Sequence, residues 1–300
     1  MKHLLSLLAV AVLLYACQKE VLGSKSLKSE VVSLPHFFNN AAVPIHHFTA
    51  TASNPISLTT PRGTGVQFPD NAFVTLNNLP VTGQVTIDVK EIFTPGEMIL
   101  NNTPTMSNGL PLVSGGEFFI RVTQNNEVLK LAPDKFIRLN VLTTASADMQ
   151  GMQVFNGDTS TGSINWNPNS SQANFVTRDS SSSYVSLFAD SLQWLNIDKF
   201  IDEPMITYTV NPGNSPNVDS SVVFVHLTGQ KSVFSFPAMA NSFTSNNMIA
   251  ASATLVGICV IDGMLYYAML PVVMQNGGSA TLTFNQIQED ELKQKLASLE

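Results

Sequence analysis

Alternating apolar and polar residues mark the stretch from Gly83 to Val122 as β structure. In Gly83–Ile92, Val85, Ile87 and Val89 fall on one side, and Thr86, Asp88 and Lys90 fall on the other. That is the period of a half-buried strand. In Gly116–Val122, Phe118, Ile120 and Val122 share a face, which leaves Glu117, Phe119 and Arg121 on the solvent side. Between the two lie Pro95-Gly96 and Asn108-Gly109, both read as turns. Short strands, frequent turn formers and no helical period predict an antiparallel sandwich.

The pattern continues toward the C-terminus. Arg138–Leu142 closes the first set of strands. Met152–Gly157 and Ile164–Trp166 are short strands, and the Ser- and Asn-rich residues 167–183 form a loop. Tyr184–Phe188, Leu192–Phe200, Ile206–Val210, Val222–Leu227, Val233–Phe236, Ala253–Ile261, Met264–Val273 and Ala280–Phe284 supply further strands. Asp262-Gly263 between two apolar runs is the strongest hairpin signal in the chain. Helical character returns only at the end, where Leu292, Leu296 and Leu299 form a stripe with acids leading and lysines following.

The fold class expected is therefore all-β, with two β-sandwich-like domains in series, an N-terminal lipoprotein signal peptide and a short C-terminal helix. The divisions are residues 1–16 (signal peptide), 17–45 (lipidated tether), 46–145 (first sandwich), 146–204 (connecting strands and loop) and 205–300 (second β domain with the helix).

The first residues concern delivery. Met1-Lys2-His3 precedes the apolar run Leu4–Leu14, which is too short to span a bilayer and reads as a secretory signal. Leu14-Tyr15-Ala16-Cys17 closes the run and resembles a bacterial lipobox, with Tyr15 departing from its usual small residue. The resemblance implies diacylglycerol on the Cys17 thiol, making the membrane a partner. Lys19-Glu20 is similar to the export signal of Bacteroidota-type surface lipoproteins, although Val21 replaces the second acid. The implied address is the outer membrane, either on the cell surface or facing the periplasm.

Residues 63–73, Gly-Thr-Gly-Val-Gln-Phe-Pro-Asp-Asn-Ala-Phe, resemble the opening of the β-sandwich shared by zona occludens proteins, netrin receptors and ankyrins. Phe68-Pro69 and Ala72 occupy its characteristic positions. Met98-Ile99, Pro104-Thr105, Ser107-Asn108-Gly109 and Ser114–Phe118 are similar to bacterial versions in Bacteroidota-type surface lipoproteins. In animal proteins this domain is an interaction module, and no catalytic residue carries over from it.

Charge and chemistry narrow the function classes. Charged residues are only 12% of the chain, about half the usual roughly 25%, and the net charge is -7. With no cluster of Lys and Arg, nucleic-acid binding is not expected. Cys259 sits in an apolar strand pattern and reads as an inert core thiol. His46-His47 lacks both i, i+4 spacing and a third ligand, so neither a metal nor another cofactor is expected. No nucleophile elbow occurs.

Two site readings remain beside a plain structural or interaction module. Trp166, Tyr184, Trp194 and Asp198 are candidate ligand contacts for a glycan-binding lipoprotein, with the aromatics as a stacking platform. Glu91, Glu97 and Glu117 are the carboxylates a hydrolase would need. Strand-end acids and core aromatics are the plainer explanation of each set. The leading expectation is a non-enzymatic envelope protein whose partner is another envelope protein or a glycan.

Overall fold

The computed structural model describes residues 33–142, 150–160, 162–178, 184–214 and 218–299. Cys17 and the residues expected to form the signal peptide lie outside them.

The first fifteen strands begin with β1 (His46–Thr51), β2 (Ile56–Thr59), β3 (Gly65–Phe68), β4 (Phe73–Val74) and β5 (Gln84–Ile92). There follow β6 (Met106–Ser107), β7 (Leu110–Gln124), β8 (Glu127–Val128), β9 (Lys130–Leu131) and β10 (Ile137–Leu142). Then come β11 (Gln153–Asp158), β12 (Asn165–Pro168), β13 (Phe175–Arg178), β14 (Tyr184–Ala189) and β15 (Gln193–Phe200). One sheet, here the long sheet, runs β1-β5-β7-β15-β11-β12, and a second, the open sheet, runs β13-β14-β10-β3-β2. Val85, Ile87, Val89, Phe118, Ile120 and Val122 of the long sheet share one core with Val66, Leu139, Val185 and Leu187 of the open sheet. The alternation read from sequence thus assigns the inner face of these strands correctly.

The remaining strands are β16 (Met205–Asn211), β17 (Ser221–Leu227), β18 (Val233–Ser235), β19 (Ala238–Met239) and β20 (Ser242–Ile249). They continue with β21 (Ser252–Ile261), β22 (Met264–Val273), β23 (Gly278–Thr281) and β24 (Asn285–Gln286). They form a sheet β19-β20-β16-β23 and a sheet β18-β17-β21-β22-β24, with one core between them. Asp262 and Gly263 both have positive φ and join β21 to β22 with Ile261 opposite Met264, the two-residue hairpin expected there. Cys259 is buried in β21 and in no disulfide among the described residues.

Residues 146–204 do more than connect. β15 pairs with β7, setting Leu195 opposite Phe118, and β14 pairs with β10 along its length. Both sheets of the first sandwich therefore need this segment. Sequence periodicity detects a strand but not its partner, so long-range pairing was invisible to it.

Among the described residues three helices stand between the sandwiches: α1 (Leu34–Ala41), α2 (Pro95–Leu100) and α3 (Glu289–Leu296). The tether expected to run to residue 45 is interrupted by α1, capped by Ser33, with Phe37 fully buried. Eight residues give too little periodicity to reveal such a helix. Pro95-Gly96, read as a turn, instead opens α2, because Thr94 and Glu97 complete a capping box around Pro95. The stripe of α3 is buried as expected, but against both sandwiches. Leu292 and Leu296 pack with Ile92, Met98 and Ile99 of the first and with Phe224, Val256, Ile258 and Leu265 of the second. Hydrogen bonds stitch the same junction: the Thr105 amide donates to the Val233 carbonyl at 2.6 Å and the Ser114 amide to the Lys231 carbonyl at 2.8 Å.

Candidate functional site

The two faces of the first sandwich have different fates. The outer face of the long sheet is partly covered by the second sandwich, and most of the sequence-predicted site residues lie there. Trp166 is fully buried, and its ring nitrogen donates to the Pro104 carbonyl at 3.1 Å. Trp194 is half-buried, with its ring centroid 5.1 Å from that of Phe119 and 6.1 Å from that of Trp166. Asp198 is fully buried. Only Tyr184 is exposed, and it belongs to the other sheet. The stacking platform expected from Trp166, Trp194 and Tyr184 is therefore not assembled: the tryptophans hold the interior of the junction.

Nor do the three carboxylates meet in one cleft, although Glu97 is near enough to Glu117 for its charge to act there. Glu91 continues the inward side of β5 and is buried opposite Phe118. Glu117 is buried on the opposite face of the sheet. Glu97 caps α2 and pairs with Arg62 at 2.9 Å.

Glu117, expected in solvent, lies in a polar cluster beneath the junction. It stands opposite Asn196, whose amide donates to Asp198 at 2.7 Å and accepts from the Ser114 hydroxyl at 2.9 Å. Both Glu117 oxygens and Asp198 Oδ1 have no hydrogen-bond partner among the described residues. Burial pushes the Glu117 carboxyl well above the usual range, and the nearby charges of Asp198 and Glu97 push the same way. The Thr103 hydroxyl, the only group opposing this, donates to the Met98 carbonyl at 3.4 Å. Asp198 is likewise raised by burial, against the Ser114 hydroxyl.

Both carboxyls thus hold protons more tightly folded than unfolded. Their contribution to stability is complete below the unfolded value of about 4 and is lost as pH rises through the raised folded value. Melting temperatures across pH 4–9 should therefore fall more steeply for wild type than for Glu117→Gln. At the alkaline end the variant should gain about 1–3 kcal/mol, the scale of an unsatisfied buried polar group. Parallel curves would show that Glu117 does not titrate in this way.

At the far end of the same face, Asp88 accepts from His47 Nδ1 at 2.7 Å and from Arg121 at 2.6 Å. Burial opposes ionisation, yet these two partners hold the Asp88 carboxyl below its usual range. His46 and His47 alternate along β1, so they point to opposite faces. No set of three or more His, Cys, Asp or Glu side chains suited to a metal occurs among the described residues.

The open sheet turns an uncovered face outward. Register places Ser57, Gln67, Arg138, Phe188 and Phe175 in one row across five strands. Thr59, Gly65, Asn140, Ser186 and Thr177 form the next row. Arg138 lies 5.3 Å from the Phe188 ring centroid, and Phe175 stacks on Phe188 at 4.5 Å and 18°. Arg138 donates to the Ser186 hydroxyl at 3.1 Å, which donates on to Asn140 at 2.8 Å. Ring stacking and the hydroxyl together fix the guanidinium. Beside it lies a groove of about 610 Å³, bordered by Arg138, Gln67, Ser57, Phe136, Lys135 and Asp134, within the size range of small-ligand sites. Lys135 is paired with Asp70 at 3.5 Å, whereas no acidic side chain pairs with Arg138 among the described residues.

Sequence reasoning did not single out this row. The alternation in residues 137–142 places Arg138 outward, but its neighbours come from residues 57, 67, 188 and 175. Only the pairing of strands distant in sequence brings them together. No family model matches the chain, and no curated protein matches it.

Proposed function

We propose that the chain is a non-enzymatic binding module of the bacterial envelope, held on the outer membrane by lipid at Cys17, which meets its ligand on the open sheet. The observation that carries this reading is the uncovered row Ser57–Gln67–Arg138–Phe188–Phe175, in which a guanidinium with no acidic partner among the described residues is fixed beside a groove. An ordering cost already met in the free protein is the signature of a prepared contact. The resemblance of residues 63–73 to a sandwich used as an interaction module agrees with it.

A catalytic reading has less support. Glu91, Glu97 and Glu117 occupy a core, a helix cap and a covered sheet face, so no pair of them flanks a common cleft. The test is an array of glycans and peptides probed with wild type and with Arg138→Ala. Hits that vanish in the variant at unchanged melting temperature support binding at the groove. Hits that are all retained place the ligand elsewhere and overturn the reading.

The anchor has its own test. Each buried methylene contributes about 0.8 kcal/mol, and two chains are needed for a stable hold, which a diacylglyceryl group supplies. Wild type should enter the detergent phase with lipid on a chain beginning at Cys17, whereas Cys17→Ala should stay aqueous or unprocessed. Wild type found in the aqueous phase at unlipidated mass removes the anchor and the outer-membrane address together. Among the described residues no helix is long and apolar enough to cross a membrane.

A further inference from the structure

The groove also carries information about the chemistry of what it binds. Its polar border includes three planar groups, the Arg138 guanidinium, the Gln67 amide and the Asp134 carboxylate, with the Ser57 hydroxyl and the Lys135 ammonium beside them. The guanidinium fork bonds two neighbouring oxygens at once and suits a carboxylate, whereas the Asp134 carboxylate accepts from ligand hydroxyls and the Gln67 amide both donates and accepts. Phe136, Pro55 and Pro69 supply apolar surface on the same groove, matched to the C–H face of a sugar ring.

The backbone beneath the centre of the face is already committed, while β2, the last strand of the sheet, keeps one edge open. β3 is paired with β2 on one side and with β10 on the other. An extended peptide draws its affinity from unpaired main-chain groups at a strand edge, and the face above β3 and β10 offers side chains instead. A ligand recognised by its own hydroxyls fits that supply.

Charge then selects among saccharides. Among the described residues Arg138 is the cation on the groove that lacks an acidic partner, and it is held by Phe188 and Ser186 with fork positions to spare. A guanidinium so fixed matches a ligand carboxylate bidentately, and Lys could not replace it in that geometry.

We propose that the groove binds a carboxylate-bearing saccharide, a uronate oligosaccharide, with the ring carboxylate on Arg138 and ring hydroxyls on Gln67 and Ser57. This rests on the groove being the binding site of the proposed module. The probes are oligosaccharides of galacturonate, glucuronate-containing hyaluronan and mannuronate-containing alginate, their methyl esters, and an oligo-aspartate peptide, titrated calorimetrically into the full chain. At least one uronate should bind, and its ester should bind about tenfold more weakly or worse, as expected for loss of a hydrogen-bonded charge pair. Arg138→Ala should bind acid and ester alike, and Arg138→Lys should recover only part of the preference for the acid.

An ester that binds wild type as tightly as its acid overturns the carboxylate assignment. If that binding still depends on Gln67, the groove remains the binding site and only the ligand class fails. Tighter, Arg138-dependent binding of the oligo-aspartate overturns the saccharide in favour of an acidic peptide. Failure of all the uronates overturns the inference, while the glycan and peptide array separately decides whether the groove binds anything.

Discussion

Phe118→Ala should lower stability by about 3–5 kcal/mol, the range for removing a fully buried aromatic side chain. Phe118 is 0% exposed, sits between Glu91 of β5 and Leu195 of β15 in the long sheet, and meets the Phe93 ring edge-on at 5.6 Å. Because both neighbouring strands are themselves hydrogen-bonded into the sheet, the site cannot collapse to fill the lost volume. Phe119, one residue on, points to the other face, is half-buried and rests on Trp194. Phe119→Ala should therefore have a clearly smaller effect. Urea melts of the two variants would check the comparison, and equal losses would refute the assignment of Phe118 to the core.

The inner face of a strand was legible because apolar residues recur with period two in Val85, Ile87 and Val89 and in Phe118, Ile120 and Val122. Turns that demand positive φ were equally legible: Asn108 and Gly109 adopt it, as do Asp262 and Gly263. The outer face was not legible, for a physical reason. Alternation says that Glu117, Phe119 and Arg121 share a side, but whether water or a second sandwich lies there depends on residues more than a hundred positions away. Ser114 meets Lys231 and Thr105 meets Val233 across that gap. Alternation alone therefore places Glu117 in solvent, although it is fully buried. The same blindness in reverse hid the open sheet, whose row gathers side chains from Ser57 to Phe188, while the tryptophans that suggested a platform serve the junction.

The junction itself should fail at a single methyl group. Gly96 lies in the first turn of α2 with no positive φ to require glycine; closeness requires it. A Cβ there would fall on the carbonyl oxygen of Leu296 and 2.6 Å from its carbonyl carbon. Both are backbone atoms of α3, so no rotamer change relieves the contact. α2 must move off α3, and both are tied in place: α2 by its capping box with Thr94 and Glu97, α3 by burial of Leu292 and Leu296. Overpacking typically costs about 1–3 kcal/mol and occasionally more, and a backbone obstacle places Gly96→Ala at or above the upper end. The loss should be local to the junction. Hydrogen exchange should quicken at α3 and at the amides of Thr105 and Ser114, while the β5 and β7 core amides stay protected. Unchanged exchange at α3 together with an unchanged melting temperature would show that the two helices do not approach this closely.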